Sequence, residues 1–93
     1  MADAPYIRQF KGCCVLIQVQ LTRVGQTYDL DTNCKRAMEA GKLKQEDVDF
    51  IHRFLDMKAE LDAGGEPDEE EIRAGIPRIQ MLVASNLNCG DSA

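Results

Sequence analysis

The segment DLDTNCKRAMEA, which starts at Asp29, begins like a calcium-binding loop. Asp29, Asp31 and Asn33 supply oxygen atoms at loop positions 1, 3 and 5, which are ligand positions in such loops. The same loop also needs glycine at position 6 and a bidentate glutamate at position 12. This chain has Cys34 and Ala40 there, so we interpret the acidic residues as helix caps and predict no metal or other cofactor.

Nucleophilic or acid–base chemistry has few candidate side chains in this sequence. Cys34 precedes Lys35 and Arg36 near a predicted helix start, a setting that can lower a thiol pKa. The one histidine, His52, has no serine or cysteine near it in sequence, so no triad is indicated. These observations predict that the protein is not an enzyme, with a thiol or metal protein as the second alternative.

The cysteines do not follow the spacing of a zinc site. Such a site needs two close pairs of ligands, whereas this chain has one adjacent pair and two isolated cysteines. We therefore expect reduced thiols that pack as small hydrophobic side chains. They are Cys13, Cys14, Cys34 and Cys89.

Two clusters of charge are the predicted contacts with a partner. The chain has a net charge of −5 and a pI near 4.7, but residues 1–44 carry +3 and residues 45–93 carry −8. The acidic cluster, which also suits a helix start, consists of Asp68, Glu69, Glu70 and Glu71. The basic cluster consists of Lys35, Arg36, Lys42 and Lys44. Nucleic acid is disfavoured as a partner because such binders are usually basic overall.

The secondary structure of residues 7–25 has two interpretations, a strand or a helix. Read alone, CCVLIQVQLTRVG alternates like a half-buried strand. Extended back to Ile7, the apolar residues recur every three or four positions as far as Val24, which is typical of an amphipathic helix. Asp3 is a candidate cap and Gly25 a candidate left-handed residue after the helix. The helix is favoured, and exposure of Val15 and Val19 is its critical test.

Three further segments have helical patterns. Helices are predicted near 32–40 and from about 45 to 63, the second with an Asp49–Arg53 pair on its surface. Pro77 lacks a backbone N–H, so a kink or a clean break is expected there, with helices near 67–74 and 77–88. The predicted fold is an all-α compact bundle of four to five helices in a single domain, 1–93. The alternative is α+β, with an N-terminal β-hairpin and three helices.

These features predict a small, acidic, cytoplasmic interaction protein. The longest unbroken apolar run has five residues, which predicts no membrane span. The expected function is an adaptor, regulator or inhibitor that occupies a protein partner's surface by steric and electrostatic contacts. Virus-encoded inhibitors of a host nucleic-acid machine are one such class. A nucleic-acid-binding regulator that uses the basic short helix is the alternative, and a homodimer is a further hypothesis.

Overall fold

The computed structural model describes residues 5–87, which form four helices followed by one π-helical turn. The helices are α1 (Pro5–Gly25), α2 (Leu30–Glu39), α3 (Gln45–Asp62) and α4 (Glu69–Met81), and the turn is Leu82–Asn86. No strand occurs within these residues. The predicted all-α bundle is therefore confirmed, and the hairpin alternative is wrong.

Helix α1 is the central element of the bundle. It packs against α2, α3, α4 and the π-helical turn, and its predicted stripe supplies Phe10, Cys14, Ile17 and Leu21, all fully buried. The ring of Phe10 meets that of Phe54 from α3 edge-on, with centroids 4.9 Å apart. The 3–4 spacing thus serves the protein's own core. The predicted cap, Asp3, lies outside the described residues.

The end of α1 differs from the prediction at Gly25. This glycine is the last residue of the helix, and the left-handed conformation is adopted by Gln26, with φ of 61°. Glycine is required at position 25 for another reason. A Cβ there would lie 2.0 Å from Oδ1 and 2.6 Å from Cα of Asn33, so Gly25 allows α1 and α2 to approach closely.

Local signals set the boundaries of α2 and α3. Asp29 caps α2, where its carboxylate accepts a 3.0 Å hydrogen bond from the Thr32 backbone N–H, so the helix starts two residues before the predicted position. Gly41 and Gly64, with φ of 76° and 93°, follow the ends of α2 and α3. Both helix ends are therefore placed by glycine, as the sequence predicts.

The predicted Asp49–Arg53 surface pair does not form. Arg53 instead makes two hydrogen bonds, of 2.8 and 2.9 Å, with the carboxylate of Glu71 on α4. Asp49 accepts a hydrogen bond from Gln45. The planar guanidinium prefers a two-point contact with a carboxylate, and this one joins two helices.

Of the kink or clean break predicted at Gly75-Ile76-Pro77, the clean break is wrong. Helix α4 continues from Glu69 to Met81 with Pro77 inside it. Burial holds the segment together, because Ile72 and Ile79 are fully buried on either side of the proline. Gly75 contributes by close packing, since a Cβ there would lie 2.8 Å from the ring of Phe54.

Candidate functional site

The side of α1 that faces away from the core carries exposed aliphatic side chains. Val15 is 55% exposed, Leu16 37% and Val19 46%. Positions 15 and 19 are one helical turn apart, on the side opposite the buried stripe. These three residues are called the outer patch here. The exposure of both valines confirms the helical interpretation, and it leaves apolar surface without a partner in the described part of the chain.

An exposed aromatic ring stands beside the outer patch. Tyr28, in the connection between α1 and α2, is 100% exposed. It lines a shallow groove with Gln18 and Thr22 of α1. Since Gln18 and Thr22 each lie three residues after a patch valine, the groove and the outer patch form a continuous surface.

Buried polar contacts fix the connection that presents Tyr28. Asn33 is only 2% exposed, accepts a 2.6 Å hydrogen bond from the Thr27 hydroxyl and donates one of 3.1 Å to the Thr27 carbonyl. The Thr27 hydroxyl also accepts from the Asp29 backbone N–H at 3.1 Å. These bonds brace the backbone on both sides of Tyr28, so its ring projects from a well-supported loop.

The charge on α1 is entirely positive. The helix contains Arg8, Lys11 and Arg23 and no acidic residue, a net charge of +3. The whole chain carries −5, so the remainder carries −8. Arg8 and Arg23 are exposed, and within residues 5–87 neither takes part in an ion pair. Both project from the outer side of α1, on either side of the outer patch.

The predicted basic cluster is divided between two junctions of the fold. Arg36 donates a hydrogen bond to the carbonyl of Gly25 at the end of α1, and Lys35 is exposed on α2. Lys42 accepts a hydrogen bond at its carbonyl from Asn86, and Lys44 is the residue before α3. The four residues thus belong to two different junctions, and a role in partner binding stays a prediction.

The predicted acidic cluster serves the start of α4. Asp68 is the cap and accepts a hydrogen bond from the Glu70 N–H, while Glu69 pairs with Arg73 at 2.7 Å. Glu71 binds Arg53, whose hydrogen bond and charge hold the pKa of that carboxyl below its ordinary value. Three of the four acids thus have contacts within the fold, and only Glu70 offers an exposed side chain without one among residues 5–87.

The cysteine candidate lacks the features of a nucleophile. Cys34 is 1% exposed, and burial, with a smaller contribution from the charge of Asp31, raises the pKa of its thiol to about 11. Burial also raises the pKa of Cys13 and brings that of Cys14 to about 12. These shifts oppose thiolate formation at neutral pH. Cys89 lies outside the described residues.

The remaining chemical candidates are surface contacts. His52 lies with Nε2 3.0 Å from Oδ1 of Asp31, a contact that joins α3 to α2. No group of three or more metal-ligating side chains forms within residues 5–87. None of the helices in this described stretch is long and apolar enough to cross a bilayer.

The outer patch and Tyr28 were not predicted as a site, although one signal was present. Val15 and Val19 fall outside the buried stripe of α1, where solvated polar residues are expected. Two β-branched residues one turn apart on the polar side of a predicted helix are therefore a signal that sequence inspection could have used to select this surface as a candidate. The exposure of Tyr28 has no such sign, because it depends on how the loop is folded.

Comparison of the chain with models of protein families, with curated proteins and with solved structures gave no match. The best-formed clefts among residues 5–87 have volumes of about 230, 270 and 260 Å³, whereas small-molecule pockets typically occupy about 300–1,000 Å³. The continuous surface formed by the outer patch and Tyr28 is therefore the stronger candidate site.

Proposed function

We propose that this protein is a non-enzymatic binding module that acts by covering a surface of another protein. Its contact surface is the outer patch of α1 together with Tyr28. One observation carries the proposal: among residues 5–87, four of the five large hydrophobic residues that are exposed lie on α1 or in the connection after it. Only Met81 lies elsewhere.

The composition of this surface favours protein as the partner. Exposed apolar residues that adjoin one another often mark interaction sites. Tyrosine is enriched among the residues that dominate binding energy, because it buries a large ring at a small loss of side-chain freedom. The ring of Tyr28 can enter a partner's pocket while the aliphatic residues of α1 exclude water around it.

The mechanism is steric and electrostatic. Helix α1 is held on its other face by the core, so the contact residues are positioned before the partner arrives. A preformed surface loses little conformational freedom on binding. The module would act as an adaptor, regulator or inhibitor according to which partner surface it covers.

Affinity capture with matched variants tests this function. The immobilised wild-type chain is compared with the double variant Val15→Gln/Val19→Gln, with Tyr28→Ala, and with Met81→Gln. The last is a control, since Met81 is a 68% exposed apolar residue outside the proposed surface. Bound proteins from the native host are quantified by mass spectrometry.

The expected result is a partner retained by wild type and Met81→Gln and depleted by the other two variants. Tyr28→Ala should weaken binding by about 30-fold, the effect of losing a residue that contributes about 2 kcal/mol. If all four chains retain the same proteins equally, the outer patch is not the contact surface.

A further inference from the structure

We infer that the outer patch receives an acidic amphipathic helix of a different protein. This inference rests on the proposed function and adds the chemical class of the partner. It follows from three features of α1: its charge, the spacing of its end arginines, and the form of its exposed apolar surface.

Charge is the first feature. The proposed contact surface includes the one basic helix of an acidic chain, with +3 on α1 against −8 on the remainder. Arg8 and Arg23 are exposed, whereas the positive charge of Lys11 helps to lower the pKa of Asp62. The two arginines are therefore the charges most available to a partner. Carboxylates on a partner would complement them, and such complementarity guides both orientation and association rate.

The dimensions of the surface match a helix. Arg8 and Arg23 are 15 residues apart, which corresponds to about 22 Å along an α-helix. A partner helix of about four turns can therefore place a carboxylate near each arginine. Between them, the three patch residues offer apolar contact for side chains spaced three and four apart, as in other helix-binding surfaces. Gly12 is exposed on the same side of α1, and no atom lies within 4 Å of the point where a Cβ would be. A partner helix therefore meets no side chain at this position.

A second copy of the same chain fits this surface poorly. If two α1 helices paired side by side in parallel, Arg8 would face Arg8 and Arg23 would face Arg23. If they paired antiparallel about the midpoint of the outer patch, at position 17, Arg23 of each copy would lie level with Lys11 of the other. Both arrangements place like charges together, which is destabilising, so the hypothesis of a homodimer is not favoured at this face.

Anionic lipid and nucleic acid share the negative charge but not the other features. The −8 carried by the rest of the chain repels a dense array of phosphates. The contact surface offers a single aromatic ring, that of Tyr28, beside an aliphatic patch, whereas single-stranded nucleic acid is usually held on aromatic rings that stack on successive bases. A single acidic helix presents few charges and an apolar stripe, which is the combination that α1 complements.

A displayed library of four-turn helical peptides tests the inference. The outward positions of the peptide helix are randomised, and peptides are selected on the wild-type chain and counter-selected on Val15→Gln/Val19→Gln. The expected outcome is enrichment of Asp and Glu near both ends of an aliphatic stripe. Equal enrichment of acidic and basic ends would overturn the inference while leaving a protein-binding outer patch in place.

A charge exchange then measures the contribution of the arginines. The enriched peptide is titrated by fluorescence anisotropy against wild type and Arg8→Glu/Arg23→Glu. Two exposed pairs worth about 0.7 kcal/mol each predict about tenfold weaker binding for the variant. A peptide with lysine in place of the end carboxylates should bind Arg8→Glu/Arg23→Glu about as tightly as the acidic peptide binds wild type. Unchanged affinity after the reversal would overturn the inference.

Further arms of the experiment separate the possible outcomes. If Val15→Gln/Val19→Gln binds the peptides as well as wild type, both the proposed function and this inference fail. Vesicles containing phosphatidylserine and a random single-stranded DNA are tested at the same salt concentration. The inference is overturned if the vesicles or the DNA bind more tightly than the acidic peptide and if Arg8→Glu/Arg23→Glu abolishes that binding. Such a result would identify α1 as a surface that binds phosphates.

Discussion

The close approach of α1 and α2 at Gly25 gives a sharp test of the fold. In Gly25→Ala, the added methyl carbon would overlap Oδ1 of Asn33 at 2.0 Å and the Asn33 Cα at 2.6 Å. A side chain can rotate away, but the backbone atom can move only if α2 shifts. The substitution should therefore separate the two helices and disturb the hydrogen bonds between Asn33 and Thr27.

The expected loss of stability follows from three contributions. Overpacking typically destabilises by about 1–3 kcal/mol, and weakening of two hydrogen bonds adds about 0.5–1.5 kcal/mol each. The higher helix propensity of alanine offsets this loss by up to about 1 kcal/mol. The net expectation for Gly25→Ala is a loss of about 3 kcal/mol, which lowers the thermal midpoint of a domain of this size by about 12–24 °C.

Gly12→Ala is the matched control in the same helix. No atom lies within 4 Å of a Cβ at this exposed position, so only the gain in helix propensity applies. It should stabilise by about 0.5–1 kcal/mol. Thermal unfolding followed by circular dichroism distinguishes the two variants, which should move the midpoint in opposite directions. A Gly25→Ala midpoint equal to or above that of wild type would refute the close approach of α1 and α2.

Three further variants and one labelling experiment test other parts of the structure. Pro77→Ala should raise the free energy of unfolding by about 1–2 kcal/mol in urea denaturation, because it restores a helical N–H; an unchanged value would count against the continuous α4. Val15→Gln/Val19→Gln should leave the thermal midpoint unchanged or raise it by a few degrees, since glutamine has the higher helix propensity; a large drop would show that the valines support the core. The pKa of Glu71 is lowered from 4.5 by its arginine partner, so its stabilisation is present above that value and lost as pH falls through the folded pKa. The thermal midpoint of Glu71→Gln should therefore depend less on pH between about pH 5 and pH 3 than that of wild type. An equal pH dependence in the two chains would contradict the Arg53–Glu71 pair. Cys34, with its pKa raised to about 11, should resist iodoacetamide at pH 7.5 in the folded chain and react in denaturant, as peptide mapping would reveal; rapid labelling of the folded chain would contradict its burial.

Local patterns in the sequence account for most of the fold. The 3–4 spacing of α1 identified Phe10, Cys14, Ile17 and Leu21 as buried because a helix repeats every 3.6 residues. Asp29 was one of the candidate caps of α2, because a carboxylate satisfies backbone N–H groups that have no helical partner, although the predicted start lay two residues too late. These signals depend on neighbours within a few residues, so the sequence reveals them without knowledge of the fold.

The errors concern contacts between residues distant in sequence. In the sequence, Gly75 and Pro77 are typical of a helix break. In the structure, the ring of Phe54 packs where a Cβ of residue 75 would lie, and the helix continues. Gly25 resembles a helix terminator until Asn33 packs against it. The choice of Glu71 by Arg53 likewise depends on the approach of α3 and α4. In each case tertiary packing overrides a local preference.

The candidate site was missed for a related reason. The sequence drew attention to dense charge, but the structure shows that most of the acidic cluster caps α4 or pairs with arginines of the same fold. Such charges are already engaged within the chain. The outer patch has no such internal role among the described residues, and it became visible only when the buried face of α1 was located.

The valines of the outer patch are unfavourable for folding on their own account. At exposed helix positions, valine has a lower helix propensity than Gln, Glu or Lys by a few tenths of a kcal/mol. Its apolar surface stays in contact with water, so it contributes no hydrophobic stabilisation to the fold. The buried face of α1 already anchors the helix, so Val15 and Val19 are not needed for the core. Local choices that oppose the stability of a fold are expected where function depends on them. Under the proposed function, a contact outside the chain accounts for both residues, and the arginines beside them favour an acidic partner.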